Sequence, residues 1–275
     1  MPEPEIAPPL YPGEEHPYQP PSDPLERSPC PGFNVLANHG LIDRSGRNIP
    51  ISQVVARFHE AFGVAPYVSH LLINGAKFHG LPTAVNEDGE ETFHLRDFHR
   101  HDVVEHDSSL VRRDHYFERE SQFNLELFNE MISLARDGVL TREQISQHQQ
   151  NRIQDSLDNN PEVSFDAFRS GAMATEAAVL MIIGGDKDFQ SVPVSEADVF
   201  LRENRFPDDF VAWPQLGNPE VTFNPFGRFV RTMLYFMGPV LRNTHGLRSW
   251  KIWFQSFWKS NGAAPQEESG GQPDL

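Results

Sequence analysis

Cysteine is almost missing: Cys30 is the single one among 275 residues. An intramolecular disulfide is therefore excluded. Long apolar runs are also missing. The longest, around Ala172 to Ile183, is interrupted by Thr175 and Glu176, and a membrane helix needs roughly 18 apolar residues. Positive charge is scarce. Lys and Arg number 23 against 39 Asp and Glu, a formal net charge of −16, which argues against non-specific binding to nucleic acid or to an anionic membrane surface. No Asn-x-Ser/Thr glycosylation sequon and no internal repeat occur. The opening Met1-Pro2-Glu3-Pro4-Glu5 lacks the basic-then-apolar pattern of a secretory leader. The chain as it stands reads as cytoplasmic, or as secreted if a leader has been removed.

Aromatic residues, in contrast, are plentiful. Phe alone accounts for 21 residues, enough for a large apolar interior or pocket. Residues 1–28 are an acidic, Pro-rich arm, expected to be extended because proline fixes φ and removes donors. Residues 29–260 read as one domain, and the polar, Gly/Pro-rich residues 261–275 as a disordered tail. Helix signals dominate the domain. Helices are expected over Phe33–His39 (stopped by Gly40), Ser52–Phe62, Val68–Lys77 and Phe123–Ala135. Thr141 and Gln144 form a capping box for a helix to about Leu157. Ser164 is expected to cap a long helix ending at Gly184-Gly185, Ser195 one to about Asn204, and Pro225 to open one to Met237. Strand signals are short, as at Thr92–Leu95. The expected fold is all-α: a mostly helical single domain with few short strands and long loops.

Cys30 lies in Pro29-Cys30-Pro31, directly before a helix. The prolines hold it out of any regular ladder, and the helix start points free N–H groups and a positive dipole end at the sulfur, which favours thiolate. A thiolate is a soft, electron-donating ligand for iron. Taken alone, a single cysteine is equally a small buried apolar residue. A second cluster comprises His94, His99, His101, His106 and His115, interspersed with Asp97, Asp102, Glu105 and Asp107. Its spacing fits neither an H-E-x-x-H helix nor a Cys/His finger, and a solvated charged loop is the alternative. Glu176 sits among Phe165, Phe168, Ala172, Val179, Leu180 and Ile183, which share one helical face. A carboxylate placed there has to be paired or hydrogen-bonded.

The stretch Pro29-Cys30-Pro31-Gly32-Phe33-Asn34-Val35-Leu36-Ala37-Asn38-His39-Gly40, with Asp43-Arg44-Ser45-Gly46-Arg47-Asn48-Ile49 after it, closely resembles the signature of the fungal chloroperoxidase and unspecific peroxygenase family. Glu105-His106-Asp107 followed by Ser109 resembles its second signature. The resemblance covers about residues 29 to 240 and is closest to the short-chain branch. It implies haem b buried in the helical domain, with Cys30 as the proximal iron ligand. It also implies a cation such as Mg²⁺ beside a haem propionate, held by Glu105, Ser109 and the backbone carbonyl of His106. Glu176 is implied as the distal acid–base catalyst and His106 as its orienting partner. In the long-chain branch an Arg two turns before the Glu takes that part, and Arg169 occupies the corresponding place here. Asn38 and His39 are read as structural. Val104 and Val179 are expected to flank the distal pocket. The implied reaction is hydrogen-peroxide-dependent oxygen transfer to small apolar or aromatic substrates by a monomer or a non-covalent dimer. The competing readings are a halide-oxidising peroxidase, a one-electron peroxidase, a non-catalytic haem binder or sensor, and a metal-binding α domain without haem.

Overall fold

A computed structural model describes residues 11–120, 122–163, 165–184, 189–212 and 228–243. The tail 261–275 and the expected cap Ser164 lie outside the described residues, as does Pro225. The expected all-α class holds. Helices α1 (Pro31–Asn38), α2 (Ile51–Phe62), α3 (Pro66–Phe78), α4 (Leu125–Ile132), α5 (Arg142–Asn159), α6 (Ala167–Ile183), α7 (Val194–Asp198) and α8 (Arg228–Asn243) carry the structure. Five short strands brace them. β1 (Ile49–Pro50), β3 (Glu91–Phe93) and β2 (Ala84–Val85) form an antiparallel sheet in that order, and β4 (Val139–Thr141) pairs antiparallel with β5 (Ser191–Pro193). Among the described residues no helix is long and apolar enough to cross a membrane.

The element boundaries follow local chemistry. Gly40, at φ +71°, adopts the left-handed conformation that ends α1, and Leu41 N–H returns to the Leu36 carbonyl at 2.9 Å. The capping box at the start of α5 is present in both directions: Thr141 N–H donates to Gln144 Oε1 at 2.8 Å and Gln144 N–H to Thr141 Oγ1 at 3.3 Å. α6 is capped by Asp166, whose Oδ1 accepts from Arg169 N–H at 2.8 Å. α4 is shorter than the apolar pattern suggests. Asn124 caps it, accepting from Leu127 N–H at 3.0 Å, and residues past Ile132 turn toward β4. The segment expected to be capped by Ser195 starts two residues earlier, with Pro193 in the cap position, and passes through a π-turn over Val199–Glu203 to Asn204 in the left-handed region at φ 51°. The strand expected at Thr92–Leu95 is β3, and Leu95 already belongs to a 3₁₀ turn.

Residues 11–28 run alongside the domain rather than away from it. Tyr11 N–H donates to the Phe210 carbonyl at 2.9 Å, and its ring meets Phe206 edge-on at 5.4 Å. Gln19 N–H bonds the Asn38 carbonyl at 2.9 Å. Asn38 and His39 fasten this layer. Asn38 Oδ1 accepts from Arg27 Nε at 2.8 Å while its amide nitrogen donates to the Asn204 carbonyl at 3.0 Å. His39 Nδ1 bonds the His16 carbonyl at 2.9 Å.

α6 runs through the core and packs on α8, which also contacts α5. Its other face meets α3 at Gly75, where an added Cβ would lie 2.2 Å from Phe168 Cε2. Gly75 is therefore what allows the two cavity-forming helices to approach. Gly75→Ala should cost about 1–3 kcal/mol through overpacking and lower Tm by several degrees, as read by calorimetry. An unchanged Tm would mean that Phe168 moves aside freely.

Candidate active site

One apolar cavity of about 1030 Å³, measured to its open mouth, is lined by α1, α2, α3, the 98–112 segment and α6. Cys30, Val104, Glu105, His106, Ser109, Glu176 and Val179 all border it, although they are spread over 150 positions of sequence. On α6 the lining residues are Phe168, Ala172, Thr175, Glu176 and Val179, the i, i+4, i+7, i+8, i+11 spacing of one helical face.

Cys30 is the residue preceding α1, at φ −89° and ψ 114°, and is half-buried with its open side on the cavity. Ser28 Oγ fixes this corner by accepting from Cys30 N–H at 2.8 Å. Phe33, Phe58 and Phe98 line the same cavity, their rings tilted against one another with centroids 4.8 Å apart along Phe58–Phe33–Phe98. Burial pushes the Cys30 thiol up, and the amides of Phe33 and Gly32 pull the other way without reversing it. The helix start thus favours the thiolate as expected, but desolvation of the anion opposes it, and a cation bonded to the sulfur would favour the ionised form.

Glu176 is held at both oxygens. Ser109 Oγ donates to Oε1 at 2.7 Å and Leu110 N–H donates to Oε2 at 3.1 Å. The Glu176 side chain is 14% exposed, and His106 Nε2 stands 3.9 Å from Oε2. His106 Nδ1 is 2.9 Å from the Asp107 carbonyl. A carbonyl can only accept, so Nδ1 carries a proton, and Nε2 is the ring nitrogen that faces Glu176. Arg169, the alternative partner, is turned elsewhere: it pairs with Asp102 and with Asp166 Oδ2, the latter at 3.0 Å.

The loop bearing these groups is clamped onto α5. His148 Nε2 bonds the Leu110 carbonyl at 2.8 Å, and Arg152 Nε donates to the Ser109 carbonyl at 3.1 Å. Ser108 Oγ donates to Ser156 Oγ at 2.7 Å. Asn160 Nδ2 donates to Asp107 Oδ2 at 3.1 Å and to Asp114 Oδ2 at 2.9 Å. Asp107 thus faces this buried network, where burial and the nearby Asp114 push its carboxyl above its usual range.

Two groups escaped the sequence reading. Arg112 is buried, borders the cavity and interacts electrostatically with Glu176, Cys30 and Glu105. Its only sequence signal is its position three residues after Ser109. His101 Nδ1 lies 2.7 Å from Glu105 Oε2, while Glu105 Oε1 is buried with no hydrogen-bond partner. Ser109, which donates a hydrogen bond to Glu176, retains lone pairs on Oγ. Glu105 Oε1 and Ser109 Oγ can therefore both serve as ligands to a hard cation.

Residues 16–215 match the family described as peroxidase, family 2. The chain is 28% identical over 236 residues to an aromatic peroxygenase of Coprinellus radians, covering 79% of this chain and 89% of that protein. It is 28% identical over 218 residues to an aromatic peroxygenase of Cyclocybe aegerita, covering 73% and 58% of the two chains. A shorter match, 31% over 99 residues, joins it to a chloroperoxidase of Leptoxyphium fumago, covering 36% of this chain and 26% of that one.

Proposed function

The chain belongs to peroxidase family 2, the fungal haem-thiolate peroxidases and peroxygenases, and on that premise we propose that it uses hydrogen peroxide to hydroxylate or epoxidise small apolar or aromatic molecules. The observation that carries this reading is a single apolar cavity shared by Cys30 and a doubly hydrogen-bonded Glu176. The names of the two peroxygenase relatives support the aromatic substrate class.

The residues present suit haem b. The cavity walls are apolar, the only cysteine borders them, and Arg112 places a buried guanidinium on the same cavity, suited to a propionate. Cys30 would ligate the iron, and Glu105, Ser109 and the His106 carbonyl would hold Mg²⁺ or a similar hard cation near the propionate. Bound there, thiolate-ligated haem supplies the redox chemistry that splits peroxide and passes one oxygen to substrate.

The protein's own groups handle protons and access. Glu176 takes a proton from hydrogen peroxide and returns it to the oxygen that leaves as water, serving first as base and then as acid. Ser109 Oγ and Leu110 N–H fix the carboxylate so that little reorganisation accompanies each transfer. His106, with its Nε2 3.9 Å from Glu176 Oε2, is placed to orient the carboxylate. Val104 and Val179 are small residues beside these groups and leave room for bulky substrates.

Two measurements test the reading. Reduced protein under carbon monoxide should show the strongly red-shifted Soret band of thiolate-ligated haem. Peroxide-dependent hydroxylation of an aromatic substrate should exceed halide oxidation, and a chain that chlorinates without hydroxylating would overturn the assignment. Val179→Phe should narrow the accepted substrates, sharply reducing kcat/KM for bulky ones while sparing small ones. An unchanged range of bulky substrates would remove Val179 from the access route.

A further inference from the structure

We propose that His101, Glu105 and His115 form a second site, for a divalent transition ion of the zinc class, on the side of Glu105 away from the cavity. The site rests on these three side chains whether or not the haem reading holds. One ligand atom from each lies within 4.8 Å of the others. His101 Nδ1 is 2.7 Å from Glu105 Oε2, and the His101 and His115 ring centroids are 4.3 Å apart, so that a turn of the stacked rings out of parallel brings both nitrogens to one ion.

His115 Nδ1 is buried with no hydrogen-bond partner. Leaving such an atom unpaired is costly, and an ion is one way of satisfying it. Neither imidazole borders the cavity, whereas Glu105 does, so the carboxylate would bridge the two cation sites. Two imidazole nitrogens with one carboxylate suit Zn²⁺ and its neighbours, whereas Mg²⁺ is served by oxygen alone. The His101 side chain is 30% exposed, which opens the site to solvent and leaves a position for water. Asp102, with Oδ2 3.5 Å from His101 Nε2, adds negative charge at the approach.

The test uses the whole protein, dialysed against Zn²⁺ in excess Mg²⁺, with bound metal counted by mass spectrometry. His70, exposed and remote in sequence, provides the control variant His70→Gln. Wild type and control should retain one zinc per chain, and His101→Gln and His115→Gln should each weaken it by more than about tenfold, since even outer partners of metal ligands are worth 10–100-fold. X-ray absorption at the zinc edge of the wild type should show imidazole scattering, independently of how well the variants fold. Equal zinc binding by all four proteins, displacement by Mg²⁺, or an oxygen-only shell would overturn the site. The Soret spectrum of the same samples reports separately on haem.

Discussion

Glu176→Gln should lower peroxide-dependent turnover by about 10²- to 10⁴-fold while leaving the visible spectrum of the purified protein in place. The amide cannot take up and return a proton near neutral pH, so the acid–base step is lost. Folding should suffer less. The amide oxygen can still accept from Ser109 Oγ, but the amide nitrogen would face Leu110 N–H, donor against donor, where the carboxylate accepts at 3.1 Å. Leaving that buried N–H unsatisfied costs about 1–3 kcal/mol. The rate loss corresponds to about 3–5 kcal/mol of transition-state stabilisation. The two magnitudes are separable when turnover and Tm are measured on one preparation. Turnover within a fewfold of wild type would remove Glu176 from proton transfer.

The scaffold around Glu176 shows why part of the site was legible in the sequence and part was not. Cys30 between two prolines, the Glu105-His106-Asp107 run and the helical phase of Glu176 are local patterns, and the cavity gathers Cys30, Glu105, His106 and Glu176 from them. The clamp is not local. His148 and Arg152 reach back across 38 and 43 positions to the Leu110 and Ser109 carbonyls. Nothing in a polar helix such as α5 distinguishes those two side chains from its solvated ones. Arg112 was passed over for a similar reason. An arginine in a charged loop reads as exposed, and only the fold, which buries it on the cavity wall, makes it a buried cation.

The proline arm illustrates a different gap. Proline content predicts extended backbone, but it says nothing about which surface that backbone lies on. Here Tyr11 docks against Phe206 and Phe210, and the backbone of residues 16–19 bonds α1 through His39 and Asn38. The thiol is the clearest case of competing terms. The first-turn amides and burial act on one atom in opposite directions, and a sequence displays the amides but not the burial.

That balance sets the second large prediction. Cys30→Ser should abolish the thiolate-type Soret band of the reduced carbon monoxide complex and, with it, nearly all peroxide-dependent oxygen transfer. The sulfur is a soft donor that ionises when bonded to a metal cation, whereas a hydroxyl is a hard, poorly ionising ligand that does not press electron density toward iron. The fold should survive. Cys30 occupies the cap position of α1 and makes no capping hydrogen bond there. Serine is among the preferred residues at that position, stabilising it by about 0.5–2 kcal/mol relative to alanine. Loss of colour in a protein with unchanged helical circular dichroism would therefore be a loss of ligation and not of structure. A variant that keeps the red-shifted band would place the iron on another ligand and remove the premise from which the roles of Glu176 and His106 were argued.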